Sequence, residues 1–232
     1  MIPIRDDAPR STTPYVNYFL ILLNTLVFLY ELSLGAEGAS VLNGFVKQFG
    51  FMPIKIDAWL DGAAPAAIAV VPFFSSMFLH ASWLHLIGNM WFLYIFGDNV
   101  EDRLGHFLYL VFYLLSGIGA SLVHLMFNLH SQVPSVGASG AIAGVLGAYF
   151  LLYPSARVLT WWFGFFVFWV PAWLMLGLWF VYQFLSGAAT SITYSHETGG
   201  GVAVWAHVGG FLTGMILIKL FPTRKPGYAF ED

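Results

Sequence analysis

The sequence predicts an all-α membrane protein, a bundle of six transmembrane helices with a short fourth helix. Three observations lead there. Hydrophobic residues make up 59% of the 232 positions and charged residues only 9%. A soluble domain carries roughly a quarter charged residues and needs them to keep its surface wet. Six apolar stretches are separated by turn-forming or charged residues, and a span takes about 20 residues to cross roughly 30 Å of hydrocarbon. Finally, the basic residues divide unevenly between the two ends that six spans create.

Helix 1 is the run from Tyr15 to Leu34, preceded by Arg5 and Arg10. It reads as a retained helix and not as a secretory signal, because no small-residue cleavage site closes it. Helix 2 runs from about Ser82 to Phe96, with a continuation through Asp98 to Arg103 left open. Helix 3 covers Phe107 to Phe127, helix 4 starts near Ser139 and stops before Pro154, and helix 6 occupies Val202 to Leu220. Helix 5 starts near Pro171, a favoured first helical position, and reaches Leu185. The stretch Trp161 to Trp169 either lies in the interface, where tryptophan is favoured, or extends helix 5. Gly35 to about Met77 reads as a long loop whose apolar residues, Phe45, Phe51, Met52 and Trp59 among them, sit partly in the outer leaflet. Loops of that length are often functional.

With six spans, both termini lie on one side. Arg5, Arg10, Arg103, Arg157, Lys219, Arg224 and Lys225 fall there, against Lys47 and Lys55 opposite. Seven against two makes that side cytoplasmic by the positive-inside rule. The expectation is one membrane-embedded domain over residues 1–232, with 1–14 and 222–232 as cytoplasmic segments, in a prokaryotic cell membrane. The net charge of −3 and the lack of a basic cluster argue against a nucleic-acid partner. With no cysteine, disulfides and thiolate chemistry are excluded.

Gly137-Ala138-Ser139-Gly140 opens helix 4 inside apolar sequence, and His207 is alone in helix 6. Polar groups of this kind are costly in hydrocarbon and tend to mark function. Helix 4 covers 13 steps from Ser139 to Leu152, about 20 Å. Ser139 is therefore sunk below the outer face, where exposed backbone needs protein or a water-filled cavity around it. His207 stands 13 steps above the inner end at Leu220, at the same depth. Gly140, Gly144 and Gly147 on helix 4, and Ala203, Gly210 and Gly214 on helix 6, give both helices the small-residue spacing that allows close approach. The two helices are expected to touch.

Serine needs a base to become a nucleophile. A helix start also supplies free N–H groups for an oxyanion. For a lone serine the commoner role is a helix N-cap, and for a lone histidine it is a polar tie between helices. Matched depth favours the pair as nucleophile and base. His85 and Asn89, spaced i, i+4 on helix 2, are plausible oxyanion donors or a polar helix-pairing patch. A zinc site is the weaker reading. The spacing from His80 to His85 places them on different helical faces, and no H-E-x-x-H motif occurs. Asp98 to Arg103 reads as a polar loop with Glu101 and Arg103 hydrogen-bonded to each other. His106, His124, His130 and His196 are assigned no chemistry.

These residues closely resemble the rhomboid family of intramembrane serine proteases. The resemblance runs from about Ser76 to Gly214 through five segments. They are Ser76-Met77-Phe78-Leu79-His80, His85-Leu86-Ile87-Gly88-Asn89, Glu101-Asp102-Arg103-Leu104-Gly105, Gly137-Ala138-Ser139-Gly140 and Ala206-His207-Val208-Gly209-Gly210. It implies a six-helix bundle with the short fourth helix at its centre, and Ser139 and His207 as a dyad without an aspartate. Asn89, His85 and the Ser139 N–H would form the oxyanion hole, and His80 would have a more structural role. Two departures stand out. Val71 and Pro72 replace a Trp-Arg pair that many members carry in the first loop. Ala143 replaces a tyrosine that in some members packs on the histidine, so another aromatic, from helix 5, is expected to orient His207. The resemblance implies transmembrane protein substrates and the lipid bilayer as partners, with no cofactor or metal. Its rival within the family is a catalytically inactive relative that binds transmembrane clients. A transporter or channel lacks an intramembrane carboxylate on the firm spans, Glu31 lying near a helix end.

Overall fold

The computed structural model describes residues 2–162, 164, 166–193 and 202–225, without the side chains of 190–193 and 202–203. The chain is mostly helical, with β1 (Ile2–Asp6), α1 (Tyr15–Glu37), α2 (Ala39–Phe49), α3 (Ile54–Leu60), α4 (Ala66–Val70) and α5 (Pro72–Ser75) in its first third. After a 3₁₀ turn at Ser76–Phe78 come α6 (Trp83–Leu104), α7 (His106–Phe127), α8 (Ser139–Leu152), β2 (Arg157–Trp162), β3 (Phe166–Pro171), α9 (Ala172–Thr193) and α10 (Val202–Leu220). Predicted helices 1 to 6 correspond to α1, α6, α7, α8, α9 and α10. By length and apolarity α1, α7 and α9 can each cross a membrane. The pair Ala66–Phe78 and Trp83–Leu104, bent by 79°, makes a fourth candidate. Ser139–Leu152 and Val204–Leu220 are apolar but shorter.

Local chemistry explains the boundaries. Ser82, extended at φ −164°, caps α6 by accepting from the His85 backbone N–H at 3.2 Å. Gly105, at φ +76°, closes α6 and opens α7, and a Cβ there would lie 2.5 Å from the Arg224 guanidinium. Pro154 follows the end of α8, where a missing N–H cannot continue the helix.

The core is built around α8, buried along its whole run from Gly140 to Tyr149. On α10, Gly210 and Gly214 bring the helix so close that a Cβ on either would lie 2.0 Å from the carbonyl oxygen of Gly140 or Gly144. Gly140 and Gly144 likewise admit Ala120 and Ser116 of α7. Only glycine permits this spacing, which brings dispersion contacts and the two helix backbones together. Ala203 and His196 lie outside the described residues as far as these contacts are concerned.

Several expectations need correction. The chain is not all-α: β1, β2 and β3 form an antiparallel sheet in that order, pairing Ile2 with Trp161 and Val158 with Val170. Trp161 to Trp169 is therefore a hairpin, turned at Gly164 (φ +82°), and not an extension of helix 5. Alternating β-branched and aromatic residues suit a pleated strand better than a helix. The predicted loop from Gly35 to Met77 is largely four short helices. Within it Phe51 is buried against Phe73 and His124, facing protein and not lipid.

Asp98 to Arg103 is the last turns of α6 and not a loop. Glu101 and Arg103 bond separate partners. The buried Glu101 carboxylate accepts from the backbone N–H groups of Val16 (3.0 Å) and Asn17 (2.7 Å) and lies 2.5 Å from His106 Nδ1. Arg103 Nε donates to the Arg224 carbonyl at 2.6 Å. Asp102 accepts from Ser11 and Thr12, and Arg10 pairs with Asp98 at 2.9 Å. Backbone donors at the start of α1 thus satisfy a buried polar group that would be costly without partners. These contacts gather the N-terminal segment, the α6–α7 junction and residue 224 at one end of the bundle.

Candidate active site

Ser139 is the first residue of α8, and Ala138 stands at the N-cap position without a side-chain capping bond. The cap explanation therefore does not account for the serine. Its hydroxyl lies 2.8 Å from His207 Nε2. The His207 Nδ1 atom lies 3.2 Å from Gln183 Oε1 on α9. An amide oxygen can only accept, so Nδ1 carries the proton. Nε2 is then the lone-pair nitrogen and the Ser139 O–H donates to it. That is the polarity a general base requires.

The small-residue contacts described above bring the two groups together. Because α8 and α10 meet at Gly140–Gly210 and Gly144–Gly214, Ser139, the residue before Gly140, and His207, one turn before Gly210, come within hydrogen-bond reach. Trp179, one turn before Gln183 on α9, sets its ring 5.9 Å from the imidazole. It is the α9 aromatic beside His207, where Ala143 of α8 offers none.

The opposite wall comes from α6 and the segment before it. Gly137, at φ +129°, lets the chain turn into α8, and its N–H donates to the Ser76 carbonyl at 2.9 Å. A Cβ on Gly137 would lie 2.7 Å from the His85 ring and 3.6 Å from Asn89 Nδ2. Both candidate oxyanion donors thus border the backbone that leads to Ser139. Asn89 is buried, and its amide nitrogen is 3.0 Å from His80 Nε2, a bond in which the amide donates and the ring accepts. One of its two N–H groups is used this way.

His80 and His85 are not kept apart by helical spacing. His80 precedes the helix, and the two rings meet at 5.1 Å, nearly edge to face. The buried Glu31 carboxylate accepts from the His80 backbone N–H at 2.9 Å. The sequence reading set Glu31 aside as lying near a helix end, whereas it is buried within α1. A carboxylate in an apolar run is the kind of costly group that signals a partner. The sequence reading also passed over Gln183, the one carboxamide in α9. Among the described residues, no three His, Cys, Asp or Glu side chains gather to hold a metal ion. A cleft of about 30 Å³, lined by Ser76, Ser121, Ser135, Gly137 and Ser139, has room for a water or two beside the serine.

Fold and site together define an integral, multi-pass membrane protein with a hydrogen-bonded serine–histidine pair in its core. Residues 68–224 match the family model described as the Rhomboid domain, and the chain belongs to the rhomboid family. Among curated relatives it is 35% identical, over 66% of its length, to a protein of Arabidopsis thaliana named Rhomboid-like protein 11, chloroplastic. It is 34% identical over 61% of its length to Rhomboid protein 1, mitochondrial, of Saccharomyces cerevisiae. To the Presenilin-associated rhomboid-like protein, mitochondrial, of Mus musculus it is 28% identical over 67%. These alignments span 54%, 39% and 40% of the relatives, so the chain matches about half of their length or less. By name these relatives are chloroplastic or mitochondrial, which runs against the prokaryotic cell membrane expected from sequence.

Proposed function

We propose that the chain is an intramembrane serine endopeptidase that hydrolyses peptide bonds in or near the transmembrane helices of other membrane proteins. The reading rests on one observation above the others: the 2.8 Å contact between Ser139 Oγ and His207 Nε2, made by a serine that caps nothing. Ser139 Oγ attacks the scissile carbonyl carbon while His207 Nε2 takes its proton. The tetrahedral oxyanion is held by the free Asn89 N–H, the His85 ring and the Ser139 backbone N–H. His207 then protonates the leaving amine, which departs. A water deprotonated by the same nitrogen hydrolyses the acyl-enzyme and restores Ser139. His80 and Gly137 hold the oxyanion wall, Gly140, Gly210 and Gly214 hold the dyad helices together, and Glu101 and Arg103 fasten the inner end.

In this reading residues 1–232 form one domain of six spans, α1, α6, α7, α8, α9 and α10, with α8 as the short central one. Both termini sit on the basic side of the membrane and water reaches the site from the other. Substrate helices enter past α9, whose outer face exposes Leu178, Val181, Tyr182 and Leu185 to lipid. Purified protein in detergent, treated with a fluorophosphonate probe, tests the dyad. Wild type should label, and Ser139→Ala and His207→Ala should not. Equal labelling in all three removes the dyad, and an unlabelled but folded wild type favours the inactive, client-binding relative.

A further inference from the structure

We propose that Gln183 is a positioning residue for the dyad, holding His207 in the tautomer that leaves Nε2 free to take the Ser139 proton. The inference rests on the dyad reading and adds a third member to it, arranged in space as Ser139 on α8, His207 on α10 and Gln183 on α9.

A neutral imidazole has one protonated nitrogen, and the hydrogen bond made by one nitrogen selects the state of the other. At His207 the Nδ1 side meets Gln183 Oε1 at 3.2 Å, an acceptor. The other tautomer would turn a lone pair toward that oxygen and a proton toward the serine, leaving no base. Trp179 and Gln183 are spaced i, i+4 and share one face of α9. The tryptophan ring, 5.9 Å from the imidazole, limits its swing while the amide fixes its rotation. From Ala172 to Leu185 this face turns toward the bundle at Leu176 and Gln183, while Val181, Tyr182 and Leu185 point outward. A carboxamide inside an apolar helix is costly without a partner, and this one has the histidine. Gln183 touches no reacting atom, so its effect on chemistry passes through the ring.

The experiment measures fluorophosphonate labelling rates of the full chain in detergent across pH, for wild type, Gln183→Leu and Gln183→Glu. Ser139→Ala and His207→Ala are run in parallel. Among the described residues, His85 of α6 is the ionisable side chain whose charge acts on His207, whereas α8 and α9 present Ser139, Trp179 and Gln183, none of them charged. Gln183→Leu should slow labelling about 10- to 100-fold at an unchanged melting temperature. That is below the roughly 10⁴-fold loss when a triad carboxylate is neutralised, since an amide orients without adding charge. Gln183→Glu keeps the acceptor and should hold the rate within several-fold. It should also move the acid limb of the pH profile upward, because a carboxylate beside Nδ1–H favours the charged ring. A structural tie alone would move neither the limb nor the rescue. Wild-type labelling by Gln183→Leu overturns the proposal, as does equal slowing by both variants with an unmoved limb. If Gln183→Leu fails to fold, the limb in Gln183→Glu decides. Labelling that survives in Ser139→Ala or His207→Ala, or is missing from wild type, overturns the dyad reading instead.

Discussion

Asn89 illustrates how much a single side chain is asked to do at this site. Its amide donates one N–H to His80 Nε2 at 3.0 Å, and this bond fixes the direction of the second. His80 in turn is fastened by its backbone to the buried Glu31 carboxylate. The proposed oxyanion wall is therefore oriented by a chain of hydrogen bonds that ends on α1, a helix distant in sequence. Losing an oxyanion donor costs about 10²–10³ in kcat, because the donor acts on charge that develops only in the transition state. Asn89→Ala should lower kcat by that amount on a transmembrane substrate while KM changes little. It also leaves a buried ring nitrogen without its donor, at a cost of about 1–3 kcal/mol, so its melting temperature should fall too. An unchanged kcat would remove Asn89 from the oxyanion hole.

Among the elements, the α8–α10 contact is the one on which the site depends. The backbone of Gly144 occupies the space a Gly214 side chain would need, and a backbone carbonyl cannot rotate away as a flexible side chain can. Gly214→Val should force the helices apart, destabilise the fold by about 1–3 kcal/mol or more, and separate Ser139 from His207. Gly88 on α6 provides the contrast, since nothing lies within 4 Å of a Cβ placed there. Gly88→Ala should be neutral or stabilising by up to about 1 kcal/mol, from helix propensity alone. Thermal unfolding in detergent, read beside probe labelling, checks both. If Gly214→Val melts and labels like wild type, the contact is not what aligns the pair.

For the whole molecule, the notable feature is how the N-terminal segment closes the basic end of the bundle. Strand β1 pairs with β2, Arg157 binds Asp7 at 2.7 Å, and Tyr149 near the C-terminal end of α8 donates its hydroxyl to Asp6. Despite the upward push of partial burial, the Arg157 backbone N–H and guanidinium hold Asp7 below the ordinary carboxylate range. Asp6 goes the other way. Burial lifts it to about 6, against the lowering effect of the Tyr149 bond and helped by the nearby Asp98 charge. The folded state thus keeps the Asp6 proton to higher pH than the unfolded chain does. Its contribution is fully present below about pH 4 and is lost as pH rises through 6, by up to roughly 3 kcal/mol. Asp6→Asn should melt with wild type near pH 4 and above it by pH 7.5. A gap that does not grow with pH would show that Asp6 ionises normally.

Much of this was legible in the residues themselves. Apolar run length, charge sparsity and the prolines at 154 and 171 report on local backbone preference and on solvent, so sequence alone sufficed to locate the main helices, from Tyr15 to Leu220. The spacing of Gly140, Gly144, Gly210 and Gly214, with the matched depths of Ser139 and His207, already implied which two helices meet. The hairpin at 157–171, its union with Ile2–Asp6, and the short helices α2 to α5 were not legible. Strand pairing joins residues more than 150 positions apart, and alternating aromatics suit an interface as well as a sheet. Nor could sequence show that Glu101 binds the start of α1 and not Arg103, that His80 and His85 touch, or that Gln183 and Trp179 close around His207. Those contacts depend on how helices rotate against one another once packed, and a helix's own sequence does not encode the face its neighbours present.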